Sequence, residues 1–317
     1  MSEADSIDRA GATATAERPE LGAEAAVAVT QPRPLPVKRW HQRGPLDRPR
    51  FLYVVMAFVL VFLFAPILLV AVFSLNATHS LATFSGFSPR WYEQLMHDSA
   101  LLSSLLLSLE IAAATTVVAV VLGTLLALGL VRAKSRWTRP VQTLGVWPLL
   151  NPEIATAVGL LLFFTQFGLT LSPTTVTLAH ITWAIPYVAL ILRARIVGLD
   201  PEIEDAARDL GATDLGALRL VVLPLLWPAI IASGLLIFVM SFDDFVTSYF
   251  TTGAGVPPLP VAIYSMIKHG VSPEINAVGT LMMVFSVGTV LLALAVFRMR
   301  QPRKGEAVLE FTGGDVA

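Results

Sequence analysis

The chain has 317 residues, of which 55% are hydrophobic and only 14% charged, at a mean hydropathy of +0.70. A soluble domain carries about 25% charged residues, so this composition excludes a water-facing globular fold and points to an integral membrane protein. A net charge of -1 and a pI near 6.5 exclude a generally basic, nucleic-acid-binding chain, and the absence of cysteine excludes disulfides, thiolate metal sites and cysteine nucleophiles.

Residues 1–50 form a polar N-terminal tail. Residues 1–36 are rich in Ala, Glu, Thr and Pro without periodicity and read as disordered. Residues 38–50 hold five basic groups and one acid beside the first apolar run, which reads either as an orientation signal against anionic headgroups or as a lipid-binding regulatory segment. That first run lacks a cleavage site, so it is expected to remain as an uncleaved anchor. A bilayer core of about 30 Å needs roughly 20 apolar helical residues. Six stretches qualify, at 51–75, 100–131, 141–169, 174–198, 225–250 and 275–297. The expected fold is therefore an all-α polytopic membrane protein, with a transmembrane domain over 51–297 and a C-terminal tail over 298–317.

Basic residues are retained on the cytoplasmic side of a membrane. Of the 22 Lys and Arg, eight precede the first span, and four lie in each of the second-to-third connection, the fourth-to-fifth connection and the C-terminal tail. The alternate connections contain only Arg90 and Lys268. This asymmetry predicts that both termini are cytoplasmic and requires an even number of spans.

The long fourth-to-fifth connection, 199–224, reads as two short helices. Asp200 can cap the first, Pro201 suits its opening turn, and Gly211 can take the left-handed conformation that ends it. Ile203, Ala206, Ala207 and Leu210 fall on one apolar stripe opposite Glu202, Glu204, Asp205 and Asp209. A second helix is expected to start near Thr213, with Pro224 marking the return to the membrane. Two alanines in the stripe permit close approach by another surface, and the acids offer partners to its basic groups. Helix physics alone leaves open a docking element or a hairpin packed on its own bundle.

The string Asp205-Ala-Ala-x3-Gly211-x9-Val221-x-Leu223-Pro224 is similar to the cytoplasmic signature of ABC importer permeases, Glu-Ala-Ala-x3-Gly-x9-Ile-x-Leu-Pro, with every spacing intact. Asp205 replaces Glu and Val221 replaces Ile. The flanking text, Ala179-His-Ile-Thr-Trp-Ala-Ile-Pro-Tyr187 and Ser241-Phe-Asp-Asp-Phe245, resembles the spermidine/putrescine permease family, and the resemblance covers roughly residues 50–300. It implies a type I ABC importer permease fold in a bacterial plasma (inner) membrane. It also implies a coupling helix, carried by Asp205, Ala206, Ala207, Gly211, Val221, Leu223 and Pro224, that docks on a cytoplasmic ATPase. The implied partners are two ATPase subunits, a second permease subunit that is homologous or identical, and an extracytoplasmic solute-binding protein. No Gly-x4-Gly-Lys-Ser/Thr phosphate loop occurs in the sequence, so ATP-Mg is expected in partner subunits and no cofactor in this chain.

The predicted spans contain four acids, Glu110, Glu153, Asp243 and Asp244, and no basic residue away from the span ends. An intramembrane charge costs roughly 2.5 to 3.5 kcal/mol on insertion scales and usually faces a pathway or polar partner. Acids without basic partners favour a cation, which suits a polyamine and disfavours an anion. Glu110 reads as pathway-lining or as a protonated carboxyl satisfied by a neighbouring helix. Asn151-Pro152-Glu153 reads as a broken helix near midplane or as the cap of a late-starting span. Adjacent residues diverge by about 100° around a helix, so of Asp243 and Asp244 at most one is expected to face the solute while the other holds a neighbouring helix; the alternative is a purely structural cap. His180, Trp183 and Tyr187 share one face of the fourth span; Trp and Tyr attract ammonium groups but also anchor membrane interfaces.

Two rival classes remain. A proton-coupled secondary carrier accounts for Glu110 and Asp243 but not for the loop signature. An intramembrane hydrolase lacks a facing catalytic dyad, paired zinc-binding histidines and a compelling Ser/His arrangement.

Overall fold

The computed structural model describes residues 50–80, 83–133, 140–143, 145, 150–270 and 273–299. The N-terminal tail to residue 49, the C-terminal tail from residue 300 and most of the second-to-third connection lie outside the described residues. The described chain divides inside its first helix, at Val59 and Leu60, and all the packing below lies within the unit that begins at Leu60.

The described structure is helical, with one isolated bridge between Asn76 and Phe87. The elements are α1 (Arg50–Phe73), α2 (Arg90–His97), α3 (Ser99–Arg132), α4 (Glu153–Gln166), α5 (Pro173–Val197), α6 (Pro201–Asp209) and α7 (Asp214–Ala217). A π-helical turn over Leu218–Val222 then leads into α8 (Leu223–Phe242), followed by α9 (Val246–Thr251), α10 (Leu259–His269) and α11 (Pro273–Met299). Five helical stretches are long and apolar enough to cross a membrane among the described residues, and α4 is a shorter apolar helix.

Four of the six expected spans match α1, α3, α5 and α11 within a few residues. Two contain interruptions. The expected span 141–169 is broken at Asn151 and Pro152, as one reading of that motif anticipates, and α4 starts at Glu153; residues 144 and 146–149 lie outside the described set. Asn151 is not its cap. Pro152 occupies that position, where its ring has no polar atom to cap with, and a proline disfavours a helical conformation for the residue before it, Asn151. The expected span 225–250 breaks at Asp243–Phe245 and resumes as α9.

The scaffold is built on close helix crossings. α3 packs most extensively on α5, then on α8, and α5 also packs on α8. Ala119, Gly123 and Ala127 repeat every four residues on one face of α3 and meet Ala184 and Val188 of α5. Small residues let helix backbones approach in a membrane, where dispersion and not hydrophobic expulsion holds them together. A Cβ at Gly123 would lie 2.6 Å from the Val188 Cβ and 3.1 Å from the Ile185 carbonyl oxygen. A second cluster joins Trp91 and Leu95 of α2 to Leu101 and Ala112 of α3, Phe242 of α8, Leu259 of α10 and Ala277 and Val278 of α11. Its polar ties are the Trp91 indole donating to the Asn76 carbonyl at 2.8 Å and the Leu259 N–H donating to Ser108 Oγ at 2.8 Å. Leu128, Val222 and Leu226 form a third cluster beside the π-helical turn.

Gly123→Ala is expected to lower the stability of the detergent-purified protein by about 1–3 kcal/mol through overpacking. Gly159→Ala, whose new methyl meets nothing within 4 Å, should leave it unchanged or slightly raised. Thermal unfolding of the two variants measures the difference, and equal midpoints would show that the α3–α5 crossing relaxes freely.

Candidate functional site

The two helix interruptions meet at one cavity. It has a volume of about 450 Å³ and is lined by Asn151, Glu153 and Thr156 at the start of α4, Trp183 and Tyr187 of α5, Met240 of α8, and Asp243 to Thr247 across the second break. Five of the six residues expected to line a pathway, Glu153, Trp183, Tyr187, Asp243 and Asp244, therefore share one space. No Lys or Arg is among the described lining residues.

The break changes the geometry expected of Asp243 and Asp244. Both line the cavity, because neither sits within a continuous helix. Asp243 is C-cap of α8, and its Oδ2 accepts a hydrogen bond from Ser286 Oγ of α11 at 2.8 Å. The Asp244 side chain is only 6% exposed. Its Oδ2 accepts from the Ser248 N–H in the first turn of α9 at 2.9 Å and pairs with His180 Nε2 at 2.9 Å. The Glu153 carboxyl lines the same cavity as Asp244 and Asp243, so three acids face one space.

His180, Trp183 and Tyr187 form a ladder on one face of α5, with ring centroids 5.7 and 6.0 Å apart. His180 is fully enclosed, and its Nδ1 lies 2.7 Å from Ser241 Oγ. Trp183 and Tyr187 present their rings to the cavity. The Trp183 indole nitrogen is buried with no hydrogen-bond partner among the described residues. Phe245 continues the aromatic lining into Tyr249 and Tyr264, at centroid distances of 5.4 and 4.8 Å. The Lys268 ammonium rests over the Tyr264 ring at 4.7 Å, and a hydrogen bond with the Tyr264 hydroxyl raises its pKa.

Glu110 is not part of this site. It is exposed on α3 and opens to a separate cavity with Ser103, Leu106, Leu107, Pro173 and the chain from Thr252 to Val256. The roles of Ser241, Ser248 and Ser286 were missed from sequence. Serines within apolar helices were the available signal, but their side-chain partners lie 43, 61 and 68 positions away in the chain, which no local pattern reveals.

The loop hairpin lies at the opposite end of α5 and α8. The Asp200 carboxylate caps α6 by accepting the Glu202 N–H at 3.0 Å, with Pro201 in the first turn. Gly211, at φ +90°, closes α6: its N–H donates to the Arg208 carbonyl at 2.8 Å, and the Ala212 N–H reaches the Ala207 carbonyl at 3.0 Å. This paired arrangement satisfies the last carbonyls of the helix and requires a left-handed residue. Thr213 caps α7 through the Gly216 N–H. Ile203 and Leu210 are 43% and 90% exposed, so the α6 stripe faces outward, whereas Ala217 and Val222 are buried. Asp205 is exposed and pairs with Arg208 at 2.6 Å; Arg208 also holds Glu204 and Asp214, and Arg132 of α3 reaches Glu204 at 2.8 Å. Of the remaining signature residues, Ala206 and Pro224 are exposed while Ala207, Val221 and Leu223 are half-buried.

No protein-family profile matches the chain. The chain is 37% identical over 246 residues to the putrescine transport system permease protein PotI of Escherichia coli K12, covering 75% of this chain and 88% of PotI. It is 36% identical over 251 residues to the spermidine/putrescine transport system permease protein PotC of Haemophilus influenzae, covering 79% and 96%. Its backbone is similar to a bacterial ABC transporter involved in import of the acidic polysaccharide alginate, with a TM-score of 0.64 over 81% of this chain and 98% of that chain. It also resembles the inward-facing MetNI methionine ABC transporter, with a TM-score of 0.53 over 68% and 100%. At 16% identity the solved structures establish the fold alone. The apolar helices, the ABC permease backbone and the identity with PotI and PotC over most of their length make this chain a multi-pass transport subunit, and it belongs to the spermidine/putrescine permease family of ABC transporters.

Proposed function

We propose that this chain forms half of the translocation pathway of a polyamine importer and that its acidic cavity binds the ammonium groups in transit. The observation that carries the reading is the convergence of Glu153, Asp243 and Asp244 with Trp183 and Tyr187 on one cavity whose described lining lacks Lys and Arg. Carboxylates and aromatic faces both attract ammonium. Glu153 and Asp244 line the cavity together with Asp243, which is held by Ser286, so several carboxyl groups face the space, an arrangement suited to a cation charged at both ends. The names of PotI and PotC support the same substrate class. Glu110, outside the cavity, is excluded from the binding set.

In this reading the chain has six spans, with α4 and its upstream segment forming the third and α8 with α9 the fifth. Both termini and the α6–α7 hairpin lie on the cytoplasmic face of the bacterial inner membrane, as the distribution of basic residues requires. The exposed stripe of α6 docks on one of two ATPase subunits, which bind ATP-Mg. A second permease subunit completes the pathway, and an extracytoplasmic solute-binding protein delivers the substrate. The hairpin continues through the π-helical turn directly into α8, whose far end is the Asp243 break. Movement of the hairpin on ATP-driven closure therefore reaches the cavity along a single rigid element.

Radiolabelled putrescine, spermidine and an anionic control, supplied to cells with and without this chain, test the assignment. Loss of putrescine or spermidine uptake alone is expected; loss of anion uptake alone overturns it. Asp244→Asn is expected to reduce polyamine uptake at least about tenfold, the effect of removing one charge-assisted contact of roughly 1.5–3 kcal/mol. Gly211→Val places a β-branched residue at φ +90°. Its expected outcome is an assembled complex that hydrolyses ATP but transports poorly, measured as ATP consumed per substrate moved; full-rate uptake by that complex would remove the bend from the coupling mechanism.

A further inference from the structure

We infer that His180 is the positioning residue of the cation site, orienting the Asp244 carboxylate toward the cavity without contacting the substrate. This inference rests on the reading of the cavity as a cation pathway. His180 has no exposed surface, so a solute in the cavity cannot reach it. Its ring nevertheless joins three elements where the fifth span is broken. Nδ1 lies 2.7 Å from Ser241 Oγ on α8, and Nε2 lies 2.9 Å from Asp244 Oδ2 in the break and 3.2 Å from Ser248 Oγ on α9.

An imidazole with its proton on Nε2 satisfies this arrangement: it accepts from the Ser241 hydroxyl and donates to Asp244. The carboxylate is oriented without having its charge cancelled. A buried Lys or Arg in the same place would orient Asp244 equally well but neutralise the group that a cation needs. Two donors, the Nε2–H and the Ser248 N–H, hold Oδ2, and the carboxylate they fix lines the cavity together with Glu153. Removal of the Nε2 donor frees the carboxylate to rotate and leaves one of its oxygens short of a partner in a setting where an unpaired charge is costly.

Asn and Gln separate the two nitrogens of the ring. The Gln amide nitrogen reaches the place of Nε2, whereas the shorter Asn amide reaches only the place of Nδ1. His180→Asn, His180→Gln and Asp244→Asn are each expressed in the full transporter, and initial rates of labelled putrescine uptake, normalised to permease abundance in the membrane, yield KM and Vmax. The Asn variant is expected to raise KM about tenfold or more, the size of a lost charge-assisted hydrogen bond, while the Gln variant stays within about twofold of wild type. Equal KM values for the two His180 variants, whether raised or unchanged, would overturn the positioning role while Asp244→Asn still raises KM. An unchanged KM for Asp244→Asn would instead overturn the cavity reading itself. Should the Asn variant fail to accumulate, the Gln variant decides alone: a wild-type KM supports the role, and a KM raised like that of Asp244→Asn ends it.

Discussion

In a bilayer no water is available to backbone N–H and C=O groups, so a helix can stop within the membrane only where protein or a wet cavity satisfies the freed groups. That constraint organises this molecule. Its two expected spans with interruptions, before Glu153 and at Asp243–Phe245, break beside the same cavity. At the second break the repair comes from the site's own chemistry, since the Asp244 carboxylate accepts the Ser248 N–H that opens α9. The group that completes the backbone bonding is thus also the group presented to the solute.

The frame around the breaks is rigid for an ordinary packing reason. Ala119, Gly123 and Ala127 bring α3 against α5, and Ile237 of α8 joins the same cluster. One turn further along α8, Phe242 is embedded instead in the cluster of α2, α3, α10 and α11. The residues immediately before Asp243 are therefore held from two sides. The chain changes direction at the first position these cores release.

Acids serve opposite ends in the two charged regions. In the hairpin, Glu204, Asp205 and Asp214 converge on the single guanidinium of Arg208, and Arg132 joins the hairpin to α3. Exposed pairs of this kind are individually weak, and their value lies in fixing the relation of two short helices across the Gly211 bend. In the cavity, Asp243 and Asp244 are held by Ser286, His180 and the Ser248 N–H, and no Lys or Arg is among the described lining residues. Their charge is oriented without a permanent basic partner.

Four spans, the cap at Asp200, the helix start near Thr213 and the Gly211 bend were legible in the sequence, because each rests on interactions within a few residues. Hydropathy and helix capping are local and leave local marks. The excess of acids over bases in the apolar segments was equally legible and carried the preference for a cation. The helical divergence expected for Asp243 and Asp244 was not observed, since an apolar run of adequate length gives no sign of where its hydrogen-bond ladder is cut. Glu110 and Glu153 looked alike as isolated acids in apolar text, yet one opens to a separate cavity and the other shares a cavity with Asp243 and Asp244. By itself the sequence determined the membrane class, the permease signature and which residue types bear the chemistry. Only the tertiary structure decided which of those residues act together, because the pairings of His180 with Ser241 and Asp244, and of Asp243 with Ser286, depend on helix crossings between segments far apart in the chain.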